Sequence, residues 1–272
     1  MRRSWILGLV LSAAGVTAPA QQLGLPIMVR GVGIDQNLNA QVPLDLTFTD
    51  ETGQPARLGQ YFRGKPVVLT LVYYSCPGLC DLVLNGVTHS LEQISLDLGR
   101  DFDVVTVSFN PTETWQLAAA KKANYIEKYQ RKGATEGWHF LTGKQDAITR
   151  LADAVGFHYK YDPNTKQFAH ASGIMVLTPE GKLARYFYGI DYKPRDLRLG
   201  LVEASQNKIG SPADELLLFC FHYDPMTGKY GLIIQNVVRG LSSAAILALG
   251  AFIFIMVRRD RRGDSSGAGR LA

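Results

Sequence analysis

The sequence predicts an α/β fold in which a central mixed sheet is covered by helices, and three observations carry that expectation. Two runs, "KPVVLTLVYY" and "FDVVTVSF", are almost continuously apolar and β-branched, the composition of strands buried on both faces. Helical patterns follow each of them. Further along, two β-rich runs flank Pro179-Glu180-Gly181 and read as an antiparallel hairpin. Strands joined through helices and closed by a hairpin require a mixed sheet with helices on its faces.

Each element has its own local reason. "PLDLTFTDETGQPARL" alternates apolar and polar residues around Glu51-Thr52-Gly53, as a two-stranded hairpin does. After the first core strand, Leu84, Val87, Leu91, Ile94 and Leu98 recur at spacings of three and four, an amphipathic helix that Gly99 would stop. The second core strand leads into a helix over residues 113–131 and a short strand at "WHFL". In "TGKQDAITRLADAVG", Gln145 stands three places after Thr142, a capping-box spacing, and Gly156 closes the helix. "FHYKY", "GIMVLT" and "KLARYFYG" follow as β-rich runs, and a last helix begins at Pro194. The order is that of a thioredoxin-like mixed sheet flanked by helices, with an extra N-terminal β-hairpin, over residues 43–209.

The ends of the chain speak about compartment. Arg2 and Arg3, an apolar run from Trp5 to Val16 and Ala18-Pro19-Ala20 make the three-part layout of a secretory signal, residues 1–20, with cleavage expected after Ala20. Residues 21–42 are a lead-in to the domain and residues 210–231 a juxtamembrane segment. Residues 232–257 are apolar enough to form a C-terminal transmembrane helix, and Gly240 to Val257 is a run without charge. Arg258, Arg259, Arg261 and Arg262 at its exit place the tail, residues 258–272, in the cytoplasm. The expected location is a single pass through the inner (cytoplasmic) membrane, with the globular domain on the periplasmic, extracytoplasmic side.

Charge excludes one class of partner. Gln21 to Tyr230 holds 21 Lys and Arg against 22 Asp and Glu, the other eight basic and two acidic residues lying in the terminal stretches. The basic pI of 9.0 therefore belongs to the ends. A near-neutral domain offers no nucleic-acid surface.

Chemistry concentrates in "YYSCPGLC", where Cys76 and Cys80 stand four residues apart at a strand-to-helix junction. With Pro77 in the first helical position, Cys76 lies at or just before the cap, and Cys80 in the first turn on the same side. Free amides and the positive end of the helix dipole there favour thiolate over thiol. Thioredoxin-type exchange normally uses two intervening residues. Three leave room for an ion between the sulfurs while still permitting a disulfide, and paired thiolates suit copper(I) or zinc. A further ligand is expected, and the chain has five histidines. His89, His139 and His158 read as surface or structural side chains. His170 precedes "GIMVLT" in a loop that a thioredoxin-like sheet closes against the cysteine helix, and position alone leaves it either ligand or structural.

"YYSCPGLC", "WHFLTG" and "FAHASGIMVLTPEGKLARYFYG" together resemble the Sco/SenC proteins, thioredoxin-like copper-binding factors of cytochrome c oxidase assembly, from Pro43 to Ser205. The resemblance implies that Cys76, Cys80 and His170 bind a copper ion. It also implies a function: an exported, membrane-anchored chaperone that delivers copper to the dinuclear CuA centre in the copper-accepting subunit of the oxidase. The alternative is a thiol-disulfide oxidoreductase acting on that subunit's copper-ligand cysteines, with Cys76 attacking and Cys80 resolving the mixed disulfide. A peroxiredoxin-type peroxidase is less well supported, because no arginine lies near Cys76 in sequence.

Two departures stand out. Where the family pattern has Asp-Pro-x-Arg-Asp, this chain has Asn110-Pro111-Thr112-Glu113-Thr114, and the anchor is C-terminal rather than N-terminal. Cys220, with His222 and Met226 nearby, offers copper-binding residue types before the apolar helix, although its spacing specifies no geometry and packing is the simpler reading.

Overall fold

The computed structural model describes residues 31–210, 223–224, 229–230 and 232–264, and the chain divides after Ile209 into two units. The signal segment, Cys220, His222, Met226 and the end of the tail lie outside the described residues. The first unit begins with β1 (Gly33–Ile34), the hairpin β2 (Thr47–Thr49) and β3 (Pro55–Arg57), then β4 (Val67–Val72), α1 (Leu79–Gln93), β5 (Asp103–Ser108) and α2 (Trp115–Tyr129). It continues through α3 (Ala134–Gly137), β6 (Trp138–Leu141), α4 (Gln145–Ala154), β7 (Phe157–Asp162), β8 (Gln167–His170), β9 (Gly173–Leu177), β10 (Leu183–Tyr188) and α5 (Pro194–Ser205).

Every residue of β4 and of β5 is buried, the polar Thr70, Asp103, Thr106 and Ser108 included. The helices α1 and α2 act as crossovers, so β4, β5 and β6 run parallel. The strand β9 pairs antiparallel with β4, and β10 with β9, giving the order β10-β9-β4-β5-β6. This is the expected mixed sheet flanked by helices. Two buried threonines and a tryptophan are paired inside it: Thr106 Oγ1 accepts hydrogen bonds from Thr70 Oγ1 and from Trp138 Nε1, both at 2.9 Å, linking three adjacent strands. The hairpin β2–β3 forms as predicted, with Phe48 opposite Ala56.

Four local expectations are revised. The first helix starts at Leu79 with Gly78 as its N-cap, not at Pro77, so Cys76 precedes the helix and Cys80 is its second residue. It ends at Gln93, and Leu98 pairs in a bridge with Phe102 instead of continuing the apolar stripe. Thr142 does not cap α4; its backbone bridges to Thr49, Lys144 takes the cap position, and the Gln145 amide bonds Thr149 and Tyr159. A β-bridge satisfies the Thr142 backbone on both sides, which a cap cannot. Finally, a second antiparallel sheet, β1-β7-β8, was not anticipated, and it takes His170 out of a loop and into strand pairing opposite Tyr159.

In the second unit β11 (Tyr223–Asp224) pairs with β12 (Lys229–Tyr230), and α6 spans Leu232–Asp264. Its stretch Arg239–Met256 is long and apolar enough to cross a membrane. Side chains such as Leu241, Ile246, Phe252 and Phe254 are exposed along it.

Candidate metal centre

Three elements meet at the end of the central sheet where β4 and β5 both terminate. Val72 and Ser108 are register partners, and Phe109 N–H donates to the Val72 carbonyl at 2.9 Å, so the two following loops leave side by side. The loop after β4 carries Cys76 and enters α1, which carries Cys80. The strand β8 delivers His170 from the second sheet.

The three side chains converge. Cys80 Sγ lies 3.3 Å from His170 Nε2, and the ligand atoms of Cys76, Cys80 and His170 all lie within 4.8 Å of one another. This is a group able to hold a metal ion. The imidazole is oriented for it: Nδ1 sits 2.8 Å from the Ala171 carbonyl, which assigns the proton to Nδ1 and leaves the Nε2 lone pair facing the sulfurs. Rings of Tyr73, Phe109 and Phe157, with centroids 5.9, 5.2 and 6.2 Å from that of His170, wall the imidazole in. Both thiols are free and buried.

The sulfurs differ in environment. Cys76 Sγ accepts the backbone N–H of Cys80 at 3.5 Å, and Cys80 Sγ accepts that of Tyr73 at 3.3 Å. The Cys80 thiol, as hydrogen-bond partner, holds the Cys76 thiol well below the ordinary thiol range against the cost of burial. Burial pushes the Cys80 thiol up, and the adjacent Cys76 charge adds to it. The two thiols of the metal-free pair are therefore unequal, and they lose their protons as a pair rather than independently.

Among the described residues, the other three histidines stay apart from this group. His89 is exposed and bonds Gln93, His139 packs against the Tyr61 ring with centroids 4.4 Å apart, and His158 bonds Asp35 at 3.0 Å. Two residues that sequence reasoning passed over lie against the site. Tyr73 contributes both its ring and its N–H, and Glu113, from the loop after β5, bonds the backbone of the cysteine loop. A signal for Glu113 existed: parallel neighbours β4 and β5 end together, so an acidic residue just past the second must face the loop past the first.

A thioredoxin-like domain that gathers a dithiol and an imidazole at the mouth of its sheet defines a class of metal and thiol proteins. The SCO1/SenC family model matches residues 35–199, more than half of the chain, and the chain belongs to that family. A proposed electron transfer protein from Aquifex aeolicus VF5 is 25% identical, with a TM-score of 0.56 over 63% of this chain and 95% of that one. A SCO1/SenC family lipoprotein from Bacillus anthracis str. Ames is 19% identical, with a TM-score of 0.51 over 64% and 99%. ScoI of Arabidopsis thaliana, solved with copper bound, is 17% identical, with a TM-score of 0.46 over 60% and 96%. No curated protein matches the sequence.

Proposed function

We propose that this chain is a membrane-anchored copper chaperone whose domain, residues 43–209, holds a copper ion through Cys76, Cys80 and His170 and passes it to the CuA centre of cytochrome c oxidase. One observation carries the reading: two cysteine sulfurs and an imidazole Nε2 lie within 4.8 Å of one another, with Nδ1 engaged elsewhere. Two thiolates and an imidazole form a soft, low-coordinate donor set that suits copper(I). Three protein donors leave the cargo open to an incoming ligand from an acceptor, so transfer proceeds by exchange. The SCO1/SenC family is associated with copper handling in oxidase assembly, which agrees with this acceptor.

Export through residues 1–20 and anchoring through residues 232–257, with Arg258, Arg259, Arg261 and Arg262 on the cytoplasmic side, complete the proposal. An anchor confines donor and acceptor to one thin layer and raises their effective concentration. The test is copper(I) binding by the reduced full chain in detergent. We expect one equivalent for the unaltered protein, and affinity at least about 100-fold weaker, about 2.7 kcal/mol, for Cys76→Ser, Cys80→Ser and His170→Ala. Binding unaffected by His170→Ala would defeat the three-donor site.

The unequal thiols favour a second reading, a reductant of the acceptor's disulfide. The Cys76 thiolate would attack one sulfur and release the other as thiolate, and Cys80 would resolve the mixed disulfide. Two electrons and the Cys80 proton pass to the acceptor, which becomes one thiolate and one thiol, while Cys76 and Cys80 become a disulfide. Oxidase activity in cells that survives His170→Ala but not the cysteine changes would replace the chaperone by this reductant.

A further inference from the structure

Of the three donors, only Cys76 lies outside a regular element. Cys80 is fixed by the hydrogen bonds of α1 and His170 by its pairing in β8, whereas Cys76 sits between Ser75 and Pro77 in the connecting loop. We propose that Glu113 is the positioning residue for this cysteine, a carboxylate brace that holds the loop so that the Cys76 sulfur meets the other two donors. The inference rests on the metal-holding reading of the site.

Four hydrogen bonds make the case. Glu113 Oε2 accepts Tyr74 N–H at 2.7 Å and Ser108 Oγ–H at 2.6 Å, while Oε1 accepts Ser75 N–H at 2.8 Å and Ser75 Oγ–H at 2.6 Å. An ionised carboxylate has about four lone-pair sites, and here each meets a donor. The bonds are charge-assisted and short, the strong kind. Two of the donors are consecutive backbone amides immediately before Cys76, so the brace fixes the peptide from which that side chain departs. Ser108 anchors the other side of the carboxylate to the end of β5, a rigid buried strand. Glu113 thus ties the least constrained ligand to the sheet, at the segment where the chain departs from its family's Asp-Pro-x-Arg-Asp pattern. A loop held in its metal-bound form before the ion arrives avoids an ordering cost on binding.

The experiment uses the full chain in detergent and compares Glu113→Gln with the unaltered protein. Glutamine matches the shape but turns one acceptor into a donor facing two donors. We expect copper(I) affinity to fall about 10- to 100-fold, with no further fall when Glu113→Gln is added to Cys76→Ser. Iodoacetamide alkylation of the metal-free, reduced protein supplies a readout that a general loss of stability does not move selectively. Cys76 should react several-fold faster in the variant, while Cys80 keeps its rate. Ser75→Ala, which removes one side-chain donor and leaves the backbone intact, should shift both readouts in the same direction by less, and it serves if Glu113→Gln fails to fold. Unchanged affinity and unchanged Cys76 alkylation would overturn the brace, as would an equal loss in the Cys76→Ser background. Failure of the unaltered protein to bind copper would instead overturn the metal reading, and the alkylation rates would still decide the brace.

Discussion

Glu51 shows how far a side chain's role depends on what is packed around it. In the sequence it marks a turn; in the structure its carboxylate ion-pairs with Lys122, accepts the Phe140 backbone N–H at 3.1 Å and lies 3.8 Å from His139 Nδ1, tying the β2–β3 hairpin to β6. Burial alone would raise its pKa, but the nearby His139 and the ion pair with Lys122 prevail and bring it down to about 2. The folded value lies below the unfolded one of about 4.5. Its contribution is therefore fully present above about pH 4.5 and is lost as pH falls toward 2. We expect unfolding free energy, measured by urea titration across that window, to fall less steeply for Glu51→Gln, by at most about 1.4 kcal/mol per pH unit. Identical acid limbs would refute the assignment. Cys76 and Cys80 were readable as a pair because four-residue spacing at a helix start is a local pattern. Glu51 was not, since its partner lies 89 residues away, and Glu113, 38 residues from its partner, became readable only once β4 and β5 were paired in parallel.

Among the helices and strands, those with a strong pattern of their own were the readable ones. The wholly buried β4 and β5, the turn at Gly181 and the start of α5 at Pro194 all follow from composition. The strand β8 did not announce itself, because "QFAH" has little β preference and exists through its ladder with β7 across a turn in which Lys166 adopts φ +56°. Thr142 likewise satisfied a helix-capping pattern and was claimed by a bridge to Thr49. Packing between elements makes its own prediction. A Cβ on Gly86 of α1 would stand 1.9 Å from the Ile190 carbonyl oxygen in the loop before α5. Gly86→Ala must push helix and loop apart, and we expect a loss of about 1–3 kcal/mol in denaturant unfolding. A variant as stable as the parent would mean that this contact is not close in solution.

For the molecule entire, the division after Ile209 separates a domain with a buried core from a segment whose helix exposes its apolar residues. Exposed leucines and phenylalanines over eighteen residues fit the length and composition of a membrane span, the anchor proposed above. Ending the chain after residue 231 should move the protein from the carbonate-resistant membrane pellet to the soluble fraction; a truncated protein that stays in the pellet would remove the anchor from the proposal. The sequence alone determined the alternation of strands and helices, the near-neutral domain, the apolar C-terminal stretch and the pair of cysteines, because periodicity, charge and spacing are local quantities. Only the tertiary structure decided that His170 belongs to a strand, that its Nε2 reaches a sulfur 90 residues away, and that Glu113 grips the loop between. Those facts depend on which strands neighbour one another, and strand order is set by the summed burial of the whole sheet rather than by any short stretch of chain.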